Sequence, residues 1–473
     1  MKYTANSLII LWVVLLSHFT LMAQTPLSLE QCIQQAWQQS RTALKAQLGI
    51  ERAELQIARE KASTLPLLQA DAQNGYQFGR NIDPTTNAFN NDAILFNSVT
   101  INGSWLLYQG GRATYAKAHR QELLIAANAQ EAQVKFQLQL EVTNAFLNVL
   151  MAKEYVQQIT TASLASQEQL KRIEQDIALG VRPEKEKVQL ETQLAAENRN
   201  LLNASAQLEE ASRSLKQLLR LPITQSINIQ TPSNLEWQVS FSDQQPDIKP
   251  QEALAAYPAY QVAISQWRAS GVAQKIIKAE RYPSIRIFGQ LNTRFSSAAQ
   301  ALADVQAIPL EQEVLVAGEP STLTFMQQVP VYEKSPFFQQ WQDNFGQAVG
   351  LQIAIPIFDQ SANRLAREEA SITRMEAQIR IEAEQDWFFY ELDRLQSRLT
   401  AAQQTYQAAQ HSAALAQQVY EMANGAYRIG ASSSYELLEA KKQLNNEQAR
   451  LLQAKYDCLF ARKILSSFAD RPQ

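Results

Sequence analysis

The chain is poor in the residues that carry most enzyme chemistry. Among 473 residues there are three histidines and two cysteines. No Ser/His/Asp grouping, metal-ligand spacing, phosphate loop or G-x-G-x-x-G turn is found, so no enzyme, cofactor or metal site is expected. The two cysteines, Cys32 and Cys458, fall on separate predicted helices and read as packed thiols, not a disulfide framework. Glycine is scarce, at 14 residues, while Ala, Gln, Leu and Glu dominate, as in long helices. Neither charge sign prevails: 43 basic and 46 acidic residues are interspersed, net −3, which excludes a nucleic-acid footprint. After residue 23 no apolar run is long enough for a membrane-spanning helix, which needs about 20 residues. If this chain enters a bilayer, it must do so with strands.

The first 23 residues read as a signal peptide. Lys2 is the charged start, 8–16 the apolar core, and Leu21-Met22-Ala23 before Gln24 a cleavage site. No cysteine follows that site, so a lipid anchor is not expected there.

What the chain has is a repeat. Shifted by 250 positions, 180–218 aligns without gaps to 430–468. Gly180, Glu186, Gln193, Leu194, Glu197, Leu201, Leu202, Ala204, Ala211 and Leu215 meet identical residues. An internal duplication fixes the architecture before any motif does. Within it, Leu194, Leu201, Leu208 and Leu215 stand seven apart. A second row, Leu190, Glu197, Ala204, Ala211 and Leu218, lies four positions earlier. Both rows recur in the second copy, and two rows at heptad spacing form a coiled-coil seam.

Each half follows one plan. In the first, Ser28-Leu-Glu-Gln31 reads as a capping box for a short helix, and a second helix over about 42–63 stops before Pro66. The period then changes from 3.6 to 2, predicting strands over 67–78 and 96–108. A helix without Pro or Gly follows from about 113 to 178, on the order of 100 Å at 1.5 Å per residue. It turns at Gly180 and returns to about 221. The second half has a helix over 259–281, strands over 284–295 and 345–358, and a hairpin of helices over 361–468. The domains are thus 1–23 signal, 24–222 first repeat, 223–250 linker and 251–473 second repeat. The stretch 296–343 reads as a long loop, disordered or functional. Its Phe337, Phe338 and Trp341 read as packing residues.

The strands alternate apolar and Ser/Thr/Asn/Gln faces, with Tyr76, Phe78, Trp105, Tyr108, Phe288 and Phe358 near their ends. That is the pattern of a lipid-facing barrel with interfacial aromatics. Four strands cannot close a barrel, and unsatisfied edges are costly in lipid. Several copies must therefore share one. Eight strands from a dimer leave almost no lumen, whereas twelve from a trimer leave a pore.

The duplicated plan resembles the TolC-like outer-membrane efflux protein family across the mature chain. The matching residues are Leu29-Glu30-Gln31-Cys32, Tyr108-Gln-Gly-Gly-Arg112, Pro356-Ile-Phe-Asp359, and the turns Leu179-Gly180-Val181 and Ile429-Gly430-Ala431. The resemblance implies a mainly α fold with a small all-antiparallel β part: long helical hairpins forming a trimeric α-barrel, and four strands per chain in a shared 12-stranded transmembrane β-barrel. It implies a homotrimer in the outer membrane with a large periplasmic portion, a passive exit channel docking on a periplasmic adaptor and an inner-membrane pump. It assigns adaptor docking to the turn residues Leu179, Gly180, Val181, Ile429, Gly430 and Ala431. Glu436 and Glu439 match the acidic rings of the entrance. One helical turn apart, they share a face, and three copies of each would attract cations. Glu186 and Tyr427 match the acid and tyrosine that latch the entrance. Ser432 stands where the family has the latching arginine, so that charge-assisted bond is missing; Arg428 is the substitute offered, and Arg182 sits on the other turn. A periplasmic coiled-coil adaptor without a barrel is the alternative, which explains the hairpins but not the four strands.

Overall fold

The computed structural model describes residues 26–82, 89–91, 93–231, 248–316 and 318–469. The expected signal peptide and 232–247 of the expected linker lie outside the described residues. In chain order the first half contains α1 Leu29–Gln39, α2 Arg41–Ala62, β1 Leu67–Gln77, β2 Asn81–Ile82, β3 Phe89–Asn90, β4 Ile94–Gln109, α3 Arg112–Ala178 and α4 Glu184–Leu219. The second contains α5 Pro250–Ala256, α6 Pro258–Ala279, β5 Ser284–Ser296, β6 Gln300–Val316, β7 Glu319–Lys334, α7 Phe337–Asp343, β8 Gly346–Ala354, α8 Ala362–Arg428 and α9 Ser434–Ala469. Contacts divide the chain into two compact units, each drawn from both halves: Met1–Glu54 with Glu122–Arg268 and Met375–Gln473, and Leu55–Gln121 with Ala269–Arg374.

The first unit is helical. The Ser28 hydroxyl accepts the Gln31 N–H at 3.2 Å and the Gln31 side chain accepts the Ser28 N–H at 2.9 Å, closing the capping box of α1. The duplication reaches element length: α3 and α8 each have 67 residues, α4 and α9 each 36. It also reaches the core. One buried cluster contains Leu138, Val142, Val149 and Leu215; the other contains Phe388, Leu392, Leu399 and Leu465, each 250 positions later. The seam rows are buried or half-buried throughout. Cys32 and Cys458 are free thiols, one in each cluster. Burial pushes the Cys32 thiol up to about 11, with Glu30 adding to the shift.

The second unit is built on an antiparallel sheet in the order β1-β4-β5-β8. Its register sorts the side chains by face. Ala70, Ile101 and Leu291 line up on one side, as do Trp105, Ile287 and Leu351; Asp71, Thr100 and Asn292 line up on the other. On the apolar face of β8, Val349 is 84% exposed and Ile353 57%, so this face lacks cover within the chain. No helix among the described residues is long and apolar enough to cross a membrane.

The structure corrects the long loop. Residues 296–343 are not irregular: β6 and β7 pair along most of their length, and α7 follows. Phe337 packs on Phe295 at 4.9 Å between ring centroids and on Trp341 at 5.2 Å. Phe338 packs edge-on against Phe337 at 5.4 Å between ring centroids and leaves 82% of its surface exposed. The last strand is shorter than read, ending at Ala354 because Pro356 lacks a ladder donor. Pro183 is the N-cap of α4.

Candidate functional site

Each long hairpin ends in the same turn. Gly180 donates to Ile177 O at 2.8 Å and Val181 to Asp176 O at 2.9 Å; Gly430 donates to Tyr427 O at 3.1 Å and Ala431 to Ala426 O at 2.9 Å. This is the Schellman pair of bonds, which needs a left-handed residue after the helix. Both glycines have φ of +75°. At the tips, Leu179, Val181 and Ile429 expose 76%, 71% and 82% of their surface, and Gly180, Gly430 and Ala431 are exposed too.

Just behind the tips the hairpins are tied together. The Tyr427 hydroxyl donates to Glu186 Oε2 at 2.7 Å. Arg182 Nη1 donates to the same oxygen at 3.0 Å, and its Nε donates to Asp176 Oδ2 at 3.2 Å. The Arg182 guanidinium also lies 4.1 Å from the centroid of the Tyr427 ring. A tyrosine and an arginine thus converge on one carboxylate in a half-buried setting, where charge-assisted bonds are shorter and stronger than neutral ones. Burial and then the Glu186 bond raise the Tyr427 pKa, so the phenol stays protonated and donating. Burial opposes the Arg182 charge, but Glu186, Tyr427 and Asp176 outweigh it and raise its pKa. Ser434 adds a bond to Gln189 Oε1 at 3.0 Å.

The other predicted residues sit differently. Glu436 and Glu439 are both exposed. Ser432 donates to Glu436 Oε2 at 2.6 Å, and Lys442 lies 3.7 Å from Glu439. Arg428 is exposed and forms no ion pair among the described residues. Arg182, on the same hairpin as Glu186, is therefore the arginine that meets Glu186 and Tyr427.

A polar layer escaped the sequence reading. Lys441 on α9 and Glu197 on α4 are only 6% and 5% exposed, with Lys441 Nζ 3.8 Å from Glu197 Oε1. Lys441 donates to the Ser166 hydroxyl and, at 3.4 Å, to the Ala162 carbonyl, both on α3. Gln193 donates to Glu197 Oε1 at 3.0 Å, while Oε2 has no partner among the described residues. Burial lowers the Lys441 pKa, with Glu197 opposing. The available signal was Glu197 itself, a carboxylate inside an apolar heptad row.

In each half of the chain, amphipathic strands are followed directly by a pair of long helices. The outer membrane efflux protein family matches residues 32–219 and 250–468, and the chain belongs to that family. It is an outer-membrane efflux channel with a large periplasmic helical part, not a free adaptor. The fold is shared with solved structures at low identity. CusC has 17% identity and a TM-score of 0.73 over 93% of this chain and 92% of its own. VceC of Vibrio cholerae, an outer membrane protein, has 14%, 0.71, 94% and 97%. The CmeC outer membrane channel of Campylobacter jejuni has 15%, 0.71, 94% and 86%. No curated protein sequence matches the chain significantly.

Proposed function

We propose that three copies close one barrel and one helical tube, whose periplasmic mouth is shut by the Arg182–Glu186–Tyr427 latch and opened when an adaptor seats on the tips. The outer edges of β1 and β8, unpaired among the described residues, support sharing because unsatisfied edges are costly in lipid, and the exposed apolar face of β8 supplies a surface for lipid. The exposed Leu179, Val181 and Ile429 offer an adaptor apolar anchors beside backbone turns. The inner-membrane pump would then feed the duct through that adaptor.

The observation that carries the gate is the contrast between two equivalent carboxylates. Glu186 is held by Arg182 and Tyr427, whereas Glu436 is exposed and its carboxylate is held, among the described residues, only by Ser432. Glu436, with Glu439 on the same face, is free to present charge to a lumen, and three copies would form two acidic rings. The test is Glu436→Ala with Glu439→Ala in planar bilayers. Cation preference and block by multivalent cations should fall together; unchanged selectivity would reject the rings. Charged replacements at Leu179 and Ile429 should abolish export while the trimer persists. Normal export would remove the docking role.

A further inference from the structure

We infer that the strand-to-helix junction carries a binding site for the phosphate of an anionic phospholipid headgroup in the periplasmic leaflet of the outer membrane. Lys278, Arg281, Tyr282 and Arg367 line a cavity of about 360 Å³, within the size range of small-ligand sites. Three of the four lining residues are cations and none is an acid. The nearby carboxylates are engaged elsewhere: Glu280 lies 3.5 Å from Arg112, Glu368 accepts from Arg364 at 3.0 Å, and Asp359 accepts the Asn363 N–H at 2.9 Å. Lys278, Arg281 and Arg367 form no ion pair among the described residues. Three cations gathered around one cavity repel one another unless an anion joins them.

Helix ends alone do not account for this arrangement. Lys278 is in the last turn of α6, where a cation suits the helix dipole. Arg367 is near the start of α8, where the dipole disfavours it. What unites the two is height along the chain's path through the membrane. Lys278, Arg281 and Tyr282 lie just before β5, which begins at Ser284. Arg367 follows Ile357 and Phe358, which are 95% and 82% exposed where β8 gives way to α8. The neighbouring stretch 109–120 carries Arg112, Lys117 and Arg120 and no carboxylate. Exposed apolar residues on the strand side and clustered cations on the helix side mark a bilayer interface. Clustered Lys and Arg there recognise anionic headgroups.

The chemistry suits a phosphodiester. Arginine forks match phosphate oxygens, Lys278 adds a mobile point charge, and the Tyr282 hydroxyl can donate a further bond. Tyr282 is positioned by the backbone. Gly110, at φ of +56°, lies so close that a Cβ would meet Tyr282 Cβ at 2.8 Å and Ala279 O at 2.5 Å.

Native mass spectrometry of the detergent-purified assembly, titrated with phosphatidylglycerol, phosphatidylcholine or inorganic phosphate, tests the assignment. Phosphatidylglycerol should bind saturably at one per chain, at least tenfold more tightly than phosphatidylcholine. The Lys278→Ser, Arg281→Ser, Arg367→Ser variant should lose that binding at least tenfold. A control losing three exposed cations elsewhere, Arg199→Ser, Arg213→Ser and Lys249→Ser, should keep it. Equal phosphatidylglycerol binding by wild type and variant would overturn the site. Binding of inorganic phosphate as tight as that of phosphatidylglycerol would overturn the lipid assignment. Should the triple variant fail to assemble, Arg367→Gln alone, which removes the charge but keeps a polar, unbranched side chain, must still weaken phosphatidylglycerol binding.

Discussion

The two helical hairpins have one backbone and two chemistries. Their turns share φ at the glycine and the same pair of bonds. Their side chains have parted. Asp176, Ile177 and Arg182 of the first turn stand opposite Ala426, Tyr427 and Ser432 of the second. The first turn therefore brings the cation and the second the phenol, and both meet on Glu186. Further along, the first copy buries Glu197 against Lys441. Its counterpart Glu447 instead pairs with Arg450, which is 73% exposed. Lys441 itself stands where the first copy has Glu191. A duplication supplies two equal rods. Divergence at non-equivalent positions is what makes one rod grip the other.

The largest effect should come from breaking that asymmetry in the buried layer. Lys441→Met leaves Glu197 buried and uncompensated, which costs about 3–5 kcal/mol. Adding Glu197→Leu removes both charges and should restore most of the loss, since apolar pairs of similar volume replace buried ion pairs well. Denaturation of single and double variants measures this. A double variant as unstable as the single one would mean the pairing is not what matters.

Next, Arg182→Ser gives the first turn the side chain of the second. Glu186 would keep only the Tyr427 bond, losing a charge-assisted contact worth about 1–2 kcal/mol in this half-exposed setting. Bilayer conductance should rise several-fold, and a closed channel with wild-type conductance would remove Arg182 from the latch. Arg428→Ser should change little.

A pH effect of similar origin is smaller. Burial and the bond to Glu186 raise the Tyr427 pKa above its ordinary 10.0. Its contribution is full below pH 10 and fades as pH rises toward the raised value, by about 1.4 kcal/mol per unit at most. Conductance should be level up to pH 10 and then climb. In Tyr427→Phe the climb should vanish, with a leak of about 1 kcal/mol already present at neutral pH. A climb that persists in the phenylalanine variant would assign it to another group.

These contrasts also explain what was legible in the sequence. The long helices were readable because heptad rows and the lack of Pro and Gly act locally and repeat. The sheet was readable because Ile101 and Thr100, or Val349 and Gly350, alternate as a two-faced strand must. The β6–β7 hairpin was not, because Pro309, Pro320 and Pro330 read as breakers and its apolar residues Leu302, Val305, Ile308 and Leu310 keep no single period. Glu186 and Tyr427, 241 residues apart, could be paired only through resemblance. The place of Arg182 depends on how the Gly180 turn folds it back over Asp176, which no spacing rule encodes. Lys441 lay hidden because its partners come from two other helices.

The smallest effect tests the shared half of the comparison. Gly180→Ala and Gly430→Ala each place a Cβ at φ of +75°, and neither Cβ would meet an atom within 4 Å. Only the left-handed backbone is then at issue, costing about 1 kcal/mol per site. The two variants should lose equal stability in thermal unfolding, and asparagine at either position should lose less, since its side chain tolerates that region. Unequal losses would mean that the two turns, identical in their bonds, differ in surroundings. A neighbouring copy in the proposed trimer would be the first place to look, because within one chain both glycines face open space.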